Sequence, residues 1–598
     1  MCLVALSLAP EVAHAELVTN GDFSGGMAGW FASGATVTVS GGKASITART
    51  GTDKSIRQSL SIGPLLKGKP FRARCDVGVA TATMVRLTLI YTDGTSTIQQ
   101  VLAERVIRQS QSPETLQGSF KLDWTTTIAS PILFLNLGHK TRDVQALPGG
   151  GLSPDYTLDN ISVDDDTDGD GISDSEEVAL GTNASNRDTD GDGIPDLWER
   201  DYGTFPLIGS AGADPDSDTF TNYEEYYAAT DPQSSASLPG EPCDPLASPA
   251  VRAVLRFLAL RPSSGVTNRT LCGQHAENLA SYNQYVVPLG AAPYQHWPAI
   301  LSVSYDSSAN PPNPAQFATV LKAYWQQGGL VAVNWHVRHP WTQGLYGYCP
   351  VPQMPCPVAD PVNIPDLLNP VTTSGLAARQ FLDSELDVVG AGLADLQSSG
   401  VVVMFRTMVE MNGGHFWWGA RGRQEYVDLY RYIRSHLIGH WNLHNIIWCC
   451  SGLQTPHPQL AADYYYPGDD AVDIFGMNIY DGSFNLTFDV DAVFRRYPKV
   501  HGLCEVGPDS VGQVSGAFSN LIYLQGADGL SGLKFQDTRA VFFIPWNSFN
   551  STSYHYIAII DNPDAAALLS DPWVMTRDEI PFAQWLSPMA VVDGWRSY

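Results

Sequence analysis

From about residue 243 onward, short uninterrupted apolar runs recur along the chain, most of them separated by stretches whose apolar positions fall three and four apart. The runs are Thr270-Leu-Cys-Gly-Gln274, Ala299-Ile-Leu-Ser-Val-Ser304, Gly329-Leu-Val-Ala-Val-Asn-Trp335 and residues 401–405, then Asn445-Ile-Ile-Trp-Cys449, Val472-Asp-Ile-Phe-Gly-Met477, Val500-His-Gly-Leu-Cys504 and Ala540-Val-Phe-Phe-Ile-Pro-Trp546. Apolar strands alternating with amphipathic helices call for a parallel sheet covered on both faces. Pro314 suits the first position of a helix over 315–327, and Tyr426, Leu429, Tyr430, Ile433 and Leu437 share one face of a helix over 423–440. Eight such units over roughly 350 residues predict a (β/α)₈ TIM barrel. Residues 16–165 follow another rule. Runs such as Thr36-Val-Thr-Val-Ser40, residues 84–91 and residues 131–136 alternate apolar and polar positions between Gly, Asn and Asp, which predicts an antiparallel β-sandwich.

Between these regions the acidity of the chain is concentrated. The net charge is −27, and residues 164–231 carry 20 acidic residues against Arg187 and Arg200 alone. The acids are spaced, not merely abundant. Asp166, Asp168, Asp170, Asp174 and Glu177, and again Asp188, Asp190, Asp192, Asp196 and Glu199, occupy positions 1, 3, 5, 9 and 12 of loops with glycine at position 6. An EF-hand loop surrounds Ca²⁺ with that spacing, so structural calcium is the expected cofactor. A third copy, Asp214, Asp216, Asp218, Asn222 and Glu225, has Thr219 in place of the glycine. Without the ion these carboxylates repel one another, so the spacer is expected to fold with calcium. Ser234-Ser-Ala-Ser237 and Pro239-Gly-Glu-Pro242 read as a linker.

The resulting partition is a signal peptide at 1–15, a sandwich at 16–165, calcium repeats at 166–233, a linker at 234–244 and a barrel at 245–598. The signal rests on the apolar residues 2–9, Pro10 and Ala13-His14-Ala15 before Glu16, and it implies export. No apolar run is long enough for a membrane span, and no basic stripe is present to neutralise nucleic-acid phosphates. Cys349 and Cys356 flank a Pro-rich loop that a short bridge would stiffen, while Cys449, Cys450 and Cys504 lie in apolar runs as packed thiols.

Reactive groups of such a barrel gather where strands end. The residues at the ends of the predicted strands are Gln274-His275, Asp306, His336, Arg406 to Glu410, Asn478-Ile-Tyr480, Glu505 and Trp546. Glu410 and Glu505 are two carboxylates on two strand ends, the equipment of a glycoside hydrolase, and Trp417 or Trp418 is placed to stack on a sugar or to pack beneath the loop.

Residues from about 245 to 590 resemble glycoside hydrolase family 26, whose members are mainly β-mannanases. The resemblance is carried by Gly273-Gln-His275, Asn334-Trp-His336, Phe405-Arg406, Glu410-Met-Asn-Gly413, Phe416-Trp-Trp-Gly419, Tyr466-Pro-Gly-Asp-Asp470, Glu505-Val-Gly507 and Thr576-Arg-Asp-Glu-Ile580. It implies Glu410 as acid/base and Glu505 as nucleophile, with His336, Tyr480 and Trp546 lining the subsite of the bond being cut; Arg406, at its strand end, is a further candidate to bind substrate. Family members usually carry histidine where this chain has Val409, and an aromatic residue where it has His415. The ends of the sandwich, Glu16-Leu-Val-Thr-Asn-Gly-Asp-Phe23 and Tyr156-Thr-Leu-Asp-Asn-Ile-Ser-Val163, resemble jelly-roll carbohydrate-binding modules. The acidic loops resemble thrombospondin type 3 or dockerin-type repeats. Together these imply a secreted retaining endo-β-1,4-mannanase acting on plant-type mannan. The alternatives are the same chemistry on β-1,3-xylan or mixed-linkage β-glucan, and a glycan-binding protein without activity.

Overall fold

Among the described residues, the alternating positions of the N-terminal region form ten strands, β1 (Trp30–Ser33), β2 (Thr36–Ser40), β3 (Lys43–Thr47), β4 (Ser55–Ser59), β5 (Pro70–Val79), β6 (Thr83–Asp93), β7 (Ser96–Ile107), β8 (Glu114–Lys121), β9 (Ile128–Leu137) and β10 (Tyr156–Asp165). They make two five-stranded antiparallel sheets, ordered β1-β4-β9-β6-β7 and β2-β3-β10-β5-β8. Period two sets the core: Phe71, Ala73, Cys75, Val77 and Val79 of β5 point inward and pack with Val85, Leu87 and Leu89 of β6. Trp30 and Trp124 also belong to this core, each 7% exposed, and Trp30 Nε1 donates to the Asn20 carbonyl at 3.0 Å. Both rings therefore pack rather than present a face to a ligand.

The computed structural model describes residues 17–49, 54–62, 66–79, 83–107, 114–121, 124, 126–137, 155–228, 230–260, 269–306, 311–343, 362–413, 416–419, 421–454, 462–482, 484, 494, 497, 499–508, 518–526, 532–533, 540–550 and 554–580. The expected signal, the Cys349–Cys356 bridge and His415 lie outside them. The chain divides into two compact units, Met1–Ala213 and Asp214–Tyr598. The boundary falls within the acidic repeats, so the third loop belongs to the second unit. Helices α1 (Asp174–Leu180) and α2 (Asp196–Tyr202) follow the first two loops, and each ends on a left-handed glycine, Gly181 or Gly203.

In the second unit, α3 (Asn222–Ala228) leads through residues 234–244 to α4 (Pro249–Leu260). The expected linker is not slack. Gly240 approaches α4 so closely that a Cβ there would lie 2.6 Å from the Arg256 nitrogen, Glu241 pairs with Arg252, and the Cys243 N–H donates to Asp473 at 2.6 Å. The barrel strands are β11 (Thr270–Ala276), β12 (Ile300–Ser304), β13 (Leu330–Trp335), β14 (Val403–Thr407), β15 (Ile446–Leu453), β16 (Ile474–Tyr480), β17 (Val500–Gly507) and β18 (Ala540–Pro545). They run in chain order, all parallel, and β11 pairs with both β12 and β18, which closes the barrel. All eight apolar runs are strands, buried along nearly their whole length.

Around it lie α5 (Ala318–Gln326), α6 (Thr373–Ser398) and α7 (Arg423–Trp441) among others. The face of Tyr426, Leu429, Tyr430, Ile433 and Leu437 is buried as the periodicity predicts. Pro314 opens a short 3₁₀ turn, Pro314–Gln316, ahead of α5. Among the described residues, Cys75, Cys243, Cys272, Cys449, Cys450 and Cys504 are free thiols, all but Cys243 buried. Among the described residues no helix is long and apolar enough to cross a membrane.

Candidate active site

The chain leaves β14 through two non-glycine residues in the left-handed region, Met408 at φ 47° and Glu410 at φ 54°. Such residues persist where their surroundings over-determine them. Here the Tyr426 hydroxyl donates to the Met408 carbonyl at 3.1 Å, Trp418 Nε1 donates to the Val409 carbonyl at 2.8 Å, and the Glu410 N–H donates to the Ser451 carbonyl at 2.9 Å. Asn412 fastens the loop to β15 in both directions, donating to the Leu453 carbonyl and accepting from the Leu453 N–H, each at 2.8 Å.

The Trp417 and Trp418 rings are 0% exposed, which corrects the expectation that one of them stacks on a sugar. Trp417 Nε1 donates to the Val337 carbonyl at 2.9 Å, and Trp418 stacks on Phe416 with centroids 4.5 Å apart. They brace the loop that carries Glu410. Val409 is itself 2% exposed.

Glu410 and Glu505 are 7% and 5% exposed. Asn478, at the end of β16, donates from Nδ2 to Glu410 Oε1 at 2.9 Å and accepts from Arg406 Nη1 at 3.0 Å. Arg406 forms an ion pair with Glu505 Oε1 at 2.6 Å, donates to Asn334 at 2.7 Å and reaches the Ser451 hydroxyl at 3.3 Å. The Tyr480 hydroxyl donates to the other Glu505 oxygen at 2.8 Å. One continuous network thus links the two carboxylates through Asn478 and Arg406. Burial alone would lower the Arg406 pKa, but the charge of Glu505 outweighs it and the net shift is upward. Burial and then Glu505 push the Tyr480 phenol well above its usual range, so it remains a donor.

His336, just past β13, is fixed by Asp306, which accepts from its backbone N–H at 3.0 Å and lies 3.2 Å from Nδ1. Burial opposes protonation of His336, yet Asp306 and then Glu505 raise its pKa overall. His275 sits deeper, between Ser302 at 2.9 Å and Ser304 at 3.2 Å, and stacks on Trp546 at 3.5 Å. Burial and the neighbouring Arg406 hold its pKa well below the ordinary value, so it is neutral. His336, Arg406, Tyr480 and Trp546 therefore converge with the two glutamates. Asn334, Asp306 and Asn478 join them as supports, as does Ser451, which nothing in the sequence pattern singles out.

In each acidic loop three aspartates bring carboxylate oxygens within 4.8 Å of one another: Asp166, Asp168 and Asp170; Asp188, Asp190 and Asp192; Asp214, Asp216 and Asp218. Buried oxygens of Asp168, Asp170, Glu177, Asp190 and Glu199 have no hydrogen-bond partner, a donor set that fits a hard divalent cation. Burial raises Asp170 to about 7, and burial with the charges of Asp168 and Asp170 raises Glu177 to about 8. Asp174 accepts both the N–H and the hydroxyl of Thr167 at 2.7 Å, and Asp196 accepts those of Thr189 at 2.9 and 2.7 Å. These two brace their loops from the position that in EF-hands commonly reaches the ion through water.

The family model described as glycosyl hydrolase family 26 matches residues 244–579, a carbohydrate binding domain matches 15–143, and a bacterial TSP3 repeat matches 166–183 and 188–207. The mannan endo-1,4-beta-mannosidase A and B of Caldalkalibacillus mannanilyticus is 30% identical over 272 residues, 44% of this chain and 47% of that protein. The mannan endo-1,4-beta-mannosidase of Bacillus subtilis strain 168 is 25% identical over 282 residues, 45% of this chain and 68% of that protein. The alignment thus spans about half the length of the first relative. A solved structure of a Bacillus subtilis mannanase is 23% identical, with a TM-score of 0.45 over 57% of this chain and 96% of that one.

Proposed function

Since the chain belongs to glycosyl hydrolase family 26, we propose that it is an exported enzyme that cleaves β-1,4-linked mannan within the polymer, with retention of configuration. The observation that carries the reading is that two buried carboxylates at two strand ends share one hydrogen-bonded network. Glu505 faces a guanidinium at 2.6 Å and a phenol hydroxyl at 2.8 Å, and Glu410 receives the Asn478 amide N–H at 2.9 Å. The guanidinium and the hydroxyl orient the Glu505 carboxylate for attack on the anomeric carbon, and Glu410, which the family resemblance makes the acid/base, supplies the proton.

In the first step a carboxylate oxygen of Glu505 bonds to the anomeric carbon as the glycosidic C–O bond breaks, and Glu410 gives its proton to the leaving oxygen. In the second, Glu410 takes a proton from water, whose oxygen displaces Glu505. Retaining enzymes place the two carboxyls about 5 to 5.5 Å apart. The N-terminal unit supplies a carbohydrate-binding domain, and calcium in the acidic loops has a structural part with no reacting group beside it. The inactive alternative is disfavoured because both glutamates are present with their supporting residues, and the relatives' names favour mannan over other β-glycans.

Glu505→Ala is expected to abolish turnover of every substrate, while Glu410→Ala spares the first step on aryl glycosides whose leaving group needs no proton. Near-wild-type hydrolysis of mannan by either variant would overturn the roles. Products from galactomannan, glucomannan and xylan test the substrate: release of short oligosaccharides from xylan but not from the mannans rejects it.

A further inference from the structure

We propose that the third acidic loop is a calcium site belonging to the barrel itself, and that the ion there holds α4 against the strands that carry the reaction. The inference rests on the calcium reading of the loops and not on the choice of substrate. The repeat family's match ends at residue 207, so nothing in it covers this loop.

Asp214, Asp216 and Asp218 bring carboxylate oxygens within 4.8 Å of one another. Glu225, at the twelfth position, is 0% exposed, and both of its carboxylate oxygens lack a hydrogen-bond partner. One buried oxygen each of Asp216 and Asp218 is likewise without one. A buried carboxylate with no donor is strongly unfavourable, and a divalent cation removes that penalty for all of them together. An all-oxygen set closed by a glutamate at position 12 suits Ca²⁺. Thr219 adopts φ 85°, the backbone that Gly171 and Gly193 take at φ 100° and 96° in the other loops, so the loop keeps its turn without the glycine.

Two helices tie this loop to the barrel. Glu225 is on α3, whose Tyr226 and Ala228 are buried, and α3 packs on α4. The Arg256 guanidinium of α4 lies 5.2 Å from the Phe220 ring centroid, in the loop itself. On its other side α4 packs against β15 and β17, which carry Ser451 and Glu505. Loss of the ion therefore loosens α3 first and then the outer support of two catalytic strands.

The test is hydrogen exchange on the full-length chain, stripped with EDTA and then titrated with CaCl₂, read at residues 249–260 and 500–507. Calcium is expected to slow exchange there by tenfold or more. Glu225→Gln should abolish that response, while the double variant Glu177→Gln with Glu199→Gln should keep it. An unchanged response in Glu225→Gln, or no response in the wild type, overturns the proposal. If Glu225→Gln exchanges throughout as an unfolded chain, Asp216→Asn is read by the same criterion. Mannan hydrolysis in the same samples separates the two readings: calcium protection without hydrolysis rejects the substrate and leaves this site standing.

Discussion

Asn478 gives its N–H to Glu410 and takes one from Arg406, so a neutral side chain orients both members of the carboxylate network. Replacing it with alanine removes two bonds to charged or reacting groups, each worth about 1.5 to 3 kcal/mol. Asn478→Ala is therefore expected to lower kcat by on the order of 10- to 100-fold with a smaller change in KM, measured on soluble mannan. An unchanged kcat would remove Asn478 from the mechanism. His336 offers a pH test. Its folded pKa is raised, against burial, by Asp306 and Glu505, so its contribution to stability is complete below the ordinary imidazole pKa and is lost as pH rises through the folded value. Thermal unfolding followed upward from about pH 6.5 should show this loss, and Asp306→Asn should flatten it. Glu410, Glu505, His336 and Asn478 are legible in the sequence because polar residues at the ends of apolar strands have no packing reason to be there. Ser451 is not, since a small hydroxyl after Cys449 and Cys450 reads as more of the same buried strand.

At the scale of elements, the eight barrel strands can be read from sequence because strands covered on both faces are apolar at every position. The long helix α6 cannot, since Gly375, Gly390 and Gly392 interrupt its pattern. Gly390 is there for packing: a Cβ would lie 2.4 Å from the Trp441 ring. The tryptophans after Glu410 mislead for a related reason. Beside glycines they look like exposed rings, but each indole N–H has a carbonyl to satisfy, and the loop is built around them. Trp418→Phe keeps most of the ring volume and leaves the Val409 carbonyl without that donor, at a cost of about 1 to 3 kcal/mol. Calorimetry should show a melting point lower by roughly 2 to 4 °C per kcal/mol, and activity should fall with it because Glu410 is the next residue. A variant as stable and as active as the wild type would show that the indole bond does not set the loop.

Across the whole molecule, hydrophobic patterning and the spacing of the acids separate three kinds of region, and the family matches follow them to within about a residue at their starts. Residues 166–207 are expected to resist protease with calcium and to be cut after chelation. The same fragments under both conditions would reduce the loops to an acidic spacer. Composition misleads at the Ser- and Pro-rich stretch, which looks like a place where the chain can be severed. Because the second compact unit starts at Asp214 in the chain, and Gly240 is pressed against α4, scissors applied at residue 244 would strip the barrel of its own α3 and uncover the helix beneath. The compact unit that carries both glutamates begins at Asp214, and transplanting it to a new partner module means carrying one acidic loop along as part of the graft.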